Sequence, residues 1–264
     1  MELCTLAGYF LTLQFLFTLV HLVVNILVAV QNVYLGLFNN KRHLSVDKVT
    51  NEDILKLIEC SPKVQKKLKH LVVLANTSHH SMCDLARIVI WSLVLGVPYI
   101  SFYDVTGYFS GDLQSNDEAL FFEIQKSKKG IPGCIKFSNK PNLNGYTNGS
   151  QANTIVINIF NISDGREKIA KCIQGIAKNS LVDEVPLKEF TVQEFDKALS
   201  NIYPCIPDPE VVLYTGRLCC THGLLPWQIR LSEFIPLSLF HSIHVDDYIN
   251  AIYKYNKCDQ RFGK

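Results

Sequence analysis

Hydrophobic positions fall into two regimes along the chain. Between Leu3 and Asn40 no Asp, Glu, Lys or Arg occurs, and residues 15–30 read FLFTLVHLVVNILVAV. A bilayer hydrocarbon core of about 30 Å takes about 20 helical residues, and the uncharged run exceeds that, so it predicts a membrane-spanning helix. A cleaved signal peptide would open on positive charge and carry a shorter apolar region before small residues; here Glu2 is the first charged side chain. His21 and Asn25, one turn apart inside the run, read as helix-packing residues.

Beyond residue 50 short apolar runs alternate with stretches of helical spacing. Residues 51–60 predict a short amphipathic helix, acidic at its start and ended by Ser61-Pro62. Residues 71–75, Leu-Val-Val-Leu-Ala, predict a buried strand. Residues 84–95 are apolar nearly all round and end at Gly96, which predicts a buried helix too short to be a second span. Further strands are expected at 99–103, 154–160 and 211–214, and further helices at 121–129, 169–178, 192–199 and 246–257. Residues 138–151, rich in Asn, Gly and Ser, predict a loop, and Pro204, Pro207 and Pro209 an extended connection. This alternation implies an α/β domain with a largely parallel sheet flanked by helices. Such sheets bind ligands at the carboxyl ends of their strands.

Composition narrows the function classes. A formal net charge of +2 gives no concentrated basic face for nucleic acid, and the lysines of residues 63–69 read as a solvated face near the membrane. Lys41, Arg42, His43 and Lys48 follow the apolar run, so the positive-inside rule places the rest of the chain in the cytosol. The sequons at Asn76, Asn148 and Asn161 would then go unused. Nine cysteines at irregular spacing, with no Cys-x-x-Cys, suit a reducing compartment. Cys219, Cys220 and His222 lack a second ligand pair at zinc spacing. His79-His80, after the first strand, reads as a solvated loop feature, and Asp246-Asp247 as the N-terminal cap of the last helix. Neither a phosphate-binding glycine motif nor a nucleophile elbow occurs.

Several stretches carry a resemblance. His70-Leu-Val-Val-Leu-Ala-Asn76 and Gly96-Val-Pro-Tyr-Ile-Ser-Phe-Tyr103 resemble the first two strands of cis-prenyltransferases, the undecaprenyl and dehydrodolichyl diphosphate synthases. Asp164-Gly-Arg-Glu-Lys-Ile169 is similar to a later turn of that family. Val211-Val-Leu-Tyr-Thr-Gly216 and Leu225-Pro-Trp-Gln-Ile-Arg-Leu-Ser-Glu233 are similar to its late active-site strand and following helix. They run in the family's order over most of residues 63–264.

The departures are as informative. Catalytic members have an Asp-Gly-Asn stretch whose aspartate holds Mg²⁺ on the diphosphate; here Asn76-Thr77-Ser78 stands there, and a neutral amide is a poor ligand for a hard cation. Their Arg-Thr-Gly-Gly and Arg-x-Ser stretches fall at Tyr214-Thr215-Gly216-Arg217, then Cys220 and His222, which removes bidentate charge-assisted bonds to diphosphate. The segment after the second strand has become Asp104-Val-Thr-Gly-Tyr-Phe109.

The chain ends Gln260-Arg261-Phe262-Gly263-Lys264, similar to the Arg-x-Gly ending of the Nogo-B receptor family, accessory subunits of dehydrodolichyl diphosphate synthase. The resemblance implies that this tail crosses a dimer interface. Arg261, Phe262 and Gly263 would then bind substrate and complete the partner's active site. Arg261 would pair with diphosphate, and Gly263 would let a backbone N–H approach it. The expected organisation is an anchor at 1–43, a linker and short helix at 44–69, and a cis-prenyltransferase-like domain at 70–264. The function it implies is that of an accessory subunit, inactive alone, at the endoplasmic reticulum membrane. It would anchor and activate a catalytic subunit that uses Mg²⁺ to condense isopentenyl diphosphate with farnesyl diphosphate into the dolichol precursor for protein glycosylation. Asn76 is the degenerate catalytic position and no metal is expected on this chain. Glu233 matches a family acidic residue of open role, as is that of the Cys219-Cys220 pair. Two other readings stand beside this one. The first is a membrane-anchored receptor or lipid-carrier scaffold without enzymatic role. The second is a self-sufficient synthase using Asp104 in place of the missing carboxylate.

Overall fold

The computed structural model describes residues 12–30, 33, 49, 51–76, 80–105, 113–128, 130–138, 154–182, 191–203, 206–216, 218–238 and 243–259. Contacts divide the chain into two units, residues 1–46 and 47–264. In the first, Thr12–Val30 forms helix α1, with 19 residues and every side chain exposed. At about 1.5 Å per residue it is about 28 Å long, the scale of a hydrocarbon core. Length and composition make it a candidate span.

The second unit is built on six parallel strands in the order β3-β4-β2-β1-β5-β6: β1 His70–Ala75, β2 Tyr99–Asp104, β3 Cys134–Phe137, β4 Thr154–Phe160, β5 Val211–Thr215 and β6 Glu233–Ser238. Parallel pairing requires crossovers, and these bury both faces of the sheet. One face packs helices α2 (Asn51–Cys60), α3 (Met82–Val94), α4 (Leu113–Ser127) and α7 (Val245–Lys257), through residues such as Leu57, Trp91, Ile124 and Tyr248. The other packs α5 (Arg166–Val182) and α6 (Val192–Ser200) through Cys172, Phe195 and Leu199. All six β1 side chains are buried, as expected of a strand near the sheet's centre.

Local chemistry sets the helix starts. The Ser81 hydroxyl accepts the Asp84 N–H while the Asp84 carboxylate accepts the Ser81 N–H, a reciprocal cap that starts α3 directly after β1. Thr191 and Glu194 cap α6 the same way. On α7 the cap residue is His244 rather than Asp246; Asp246 instead binds Lys56 of α2 at 3.0 Å and Asp247 sits in the first turn. The acids still lie where the helix dipole favours negative charge.

Two strands escape the sequence pattern. β3 is a four-residue edge strand with Lys136 exposed, too short for clear alternation. β6 contains Pro236, tolerated because β6 is the opposite edge and its register shifts beside Tyr214 and Thr215. The expected helix at 225–233 is corrected: Gln228–Leu231 makes a single 3₁₀ turn and Glu233 opens β6. Of the expected loop at 138–151, residues 139–151 lie outside the described residues.

Candidate functional site

Parallel strands present their carboxyl ends together, and that edge holds the candidate site. Ala75 of β1 lies level with Asp104 of β2, so Asn76 is the first residue beyond the sheet. Its backbone N–H donates to Nδ1 of His80 at 3.2 Å, and its carbonyl accepts the His80 N–H at 2.8 Å. Nε2 of the same ring lies 3.1 Å from the hydroxyl of Thr215, the last residue of β5. His80 is 4% exposed, which corrects its reading as a solvated loop residue; His79, Thr77 and Ser78 lie outside the described residues. Burial follows because the end of β5 lies against the ring.

The β4 end is tied in by tyrosines. Asn161 and Asp164 form a reciprocal cap on the turn after β4, and Asp164 Oδ1 sits 3.0 Å from Lys168 Nζ. The Tyr203 hydroxyl donates to the Asp164 carbonyl, and the Tyr103 hydroxyl to the His222 carbonyl at 2.8 Å. A Cβ at Gly165 would stand 2.3 Å from the Gly223 carbonyl oxygen, so this turn touches the loop after β5 at backbone distance. Burial, then the Asp164 and Asp104 carboxylates, push the Tyr103 hydroxyl's pKa up; burial, then Asp164 and Cys172, push Tyr203 up to about 12. Both stay protonated donors at neutral pH, in a field biased against added negative charge.

This edge is poorly equipped for a metal-bound diphosphate. Asn76 supplies a neutral amide, Asp104 is 1% exposed, and Asp164 is committed to the Asn161 N–H and to Lys168. Among the described residues no group of three or more His, Cys, Asp or Glu could hold a metal ion. The donor set does not fit Mg²⁺. Asp104, the residue weighed as a substitute ligand, is buried at the end of β2. Arg166 is exposed at the start of α5, and Lys168 is paired. After β5, Leu218, Cys219 and Cys220 are exposed, His222 has φ 49°, and both thiols are free. Arg217 lies outside the described residues, as do Arg261, Phe262 and Gly263.

Glu233 stands apart. It pairs in register with Val211, the first residue of β5, at the amino edge of the sheet. Four strand steps of about 3.3 Å separate that position from Thr215, about 13 Å in all, so Glu233 is not part of the edge around Asn76. Trp227 serves packing: its indole N–H donates to Asp196 Oδ1 at 2.7 Å, with Phe195 edge-on at 4.7 Å between ring centroids and the Arg230 guanidinium 5.2 Å away.

Comparison with known proteins agrees with this architecture. No family model matches the chain. It is 30% identical over 197 residues to the dehydrodolichyl diphosphate synthase complex subunit Nus1 of Mus musculus, covering 74% of this chain and 64% of the relative. It is likewise 30% identical over 202 residues to NUS1 of Homo sapiens, covering 74% and 65%. The chain thus spans slightly less than two thirds of the length of these curated relatives. Among solved structures, lavandulyl diphosphate synthase from Lavandula x intermedia, crystallised with dimethylallyl diphosphate, superposes with a TM-score of 0.51 at 12% identity, covering 75% of this chain and 99% of that one. That likeness concerns the fold. A parallel sheet of this order and the similarity over about three quarters of the chain converge on one statement: the chain is similar to the NUS1 subunits of dehydrodolichyl diphosphate synthase complexes and has a cis-prenyltransferase-like fold.

Proposed function

We propose that this chain is the membrane-anchored accessory subunit of a dehydrodolichyl diphosphate synthase complex and makes no product alone. It anchors and activates a catalytic subunit that condenses isopentenyl diphosphate with farnesyl diphosphate. The observation that carries this reading is the carboxyl edge of the sheet: the fold is kept, while the position of the metal-binding carboxylate is the neutral Asn76 and the adjacent Asp104 is buried. Mg²⁺ is then held by the partner.

The backbone N–H groups of Gln65 and Lys66 donate to Asn256 Oδ1, and Lys66 Nζ reaches the Cys258 carbonyl at 3.2 Å. The end of α7 therefore lies beside the segment leading into β1, at the amino edge.

The uncharged α1 and the basic residues 41, 42 and 48 support a single span with residues 47–264 in the cytosol. The decisive experiment incubates the purified chain, alone and with its catalytic subunit, with both diphosphates and Mg²⁺. Product is expected only from the complex, and polyprenyl synthesis by the chain alone would overturn the reading. Glycosidase treatment is expected to leave its mobility unchanged.

A further inference from the structure

The amino edge of the sheet is entered through residues 60–70, which contain Lys63, Lys66, Lys67 and Lys69 and no acid, with Glu210 and Glu233 beside them at the starts of β5 and β6. A groove of about 510 Å³ opens there. Val64, Leu68, Val97 and Ile252 line it with apolar surface, and Lys66, Lys67 and Lys69 with charge. Lys66 is oriented by its bond to the Cys258 carbonyl and by the Tyr255 ring 4.2 Å from its ammonium. Lys63, Lys67 and Lys69 are exposed. The nearby Glu210 is engaged, its carboxylate accepting the Lys69 N–H at 2.6 Å. On the adjoining α2, Leu55 and Ile58, three positions apart, are 60% and 56% exposed.

We propose that this amino edge is a docking groove for the anionic headgroups of a bilayer. Cations around an apolar floor, with two exposed aliphatic residues beside them, match an anionic amphiphile in both charge and polarity. Nucleic acid would ask for cations with stacking aromatics and no greasy floor. The proposal rests on the reading of α1 as the anchor: twenty residues separate Val30 from Asn51, so a bilayer holding α1 presents headgroups to this edge at high effective concentration. Docking there turns the carboxyl edge, with its Asn76 and Thr215 ends, away from the lipid.

The test uses the full chain reconstituted into vesicles of phosphatidylcholine alone or with added phosphatidylserine. Lysine accessibility is read as the rate of amine acylation at each site by mass spectrometry. Lys63, Lys67 and Lys69 should label about three- to ten-fold more slowly in the anionic vesicles, and the difference should vanish at high salt, where the Debye length contracts. Lys171, exposed on α5, should label equally in both. Inorganic phosphate added to detergent-solubilised chain should give no protection. The double variant Lys67→Glu/Lys69→Glu should lose the lipid-dependent protection at Lys63 while still floating with phosphatidylcholine vesicles. Failure of the chain to float with phosphatidylcholine vesicles would sink the anchor. Flotation with equal lysine labelling in both vesicle types would overturn the groove. Protection in phosphatidylcholine that requires the catalytic subunit would overturn it in favour of a protein occupant.

Discussion

His80 holds Asn76 by two bonds, accepting the Asn76 N–H on Nδ1 and donating its own N–H to the Asn76 carbonyl. A backbone N–H can only donate, so Nδ1 is the acceptor and the neutral ring carries its proton on Nε2, directed at the Thr215 hydroxyl. One imidazole therefore joins the ends of two adjacent strands.

Replacing that ring strips a buried clip. His80→Ala should destabilise the folded domain by about 1–3 kcal/mol, since the side-chain bonds are lost in a site with little solvent. Urea unfolding of the detergent-solubilised chain measures this, and an unchanged midpoint would refute the clip.

His70 gives a pH signature. Its Nδ1–H donates to the Pro207 carbonyl at 2.6 Å and Nε2 accepts from the Ser101 hydroxyl at 2.7 Å, which fixes a neutral ring. Burial lowers its pKa to about 4 from an ordinary 6.5, against an opposing pull from the Pro207 carbonyl. Between those values the unfolded chain binds the proton and the folded chain does not, so stability falls with falling pH. The loss begins near pH 6.5, is complete near pH 4, and amounts to about 3 kcal/mol for this ring. Thermal melts across that window should show a smaller decline in His70→Gln, and parallel curves would contradict the assignment.

Gly165 is required by closeness. Its φ of −85° is open to any residue, but an added Cβ would lie 2.3 Å from the Gly223 carbonyl oxygen. Gly165→Ala should cost about 1–3 kcal/mol by forcing the turn after β4 off the loop after β5. A melting temperature equal to wild type would show that the loop yields freely.

How much of this was legible follows from where each contact comes from. β1 and β2 are buried on both faces, so their apolar runs stand out in the sequence, and α3 stands out as a stretch apolar nearly all round, while its Ser81–Asp84 cap emerges only in the structure. The edge strands lack that signal, β3 by brevity and β6 because Pro236 argues against a strand. His80 was illegible because its burial depends on Thr215, 135 positions away. Glu233 was placed on a helix by the family resemblance, although Leu225 sits at φ 25° and only one 3₁₀ turn follows. The neutral Asn76 was legible through the resemblance, which marks the position where an aspartate is expected. The tail residues Arg261, Phe262 and Gly263 were singled out by resemblance.

Restoring one carboxylate should not restore an enzyme. Asn76→Asp would return an acid to the end of β1, yet Asp104 remains buried and Cys220 and His222 remain on the loop after β5. The purified variant alone, given both diphosphates and Mg²⁺, should form no polyprenyl product. Measurable turnover would mean that the missing acid alone had silenced the chain.

The tail carries the sharpest test of assembly. If Arg261 binds diphosphate in a partner's site, Arg261→Ala removes a charge-assisted pair worth about 1.5–3 kcal/mol, which is roughly 10- to 150-fold in turnover or apparent affinity of the reconstituted complex. Arg261→Lys should recover only part, because an ammonium lacks the planar fork that grips two oxygens at once. Gly263→Ala should also impair turnover by holding backbone off the phosphate, while subunit association, measured by co-purification, should survive all three substitutions. Wild-type kinetics from the Arg261→Ala complex would remove the tail from the reaction and leave this chain an anchor alone.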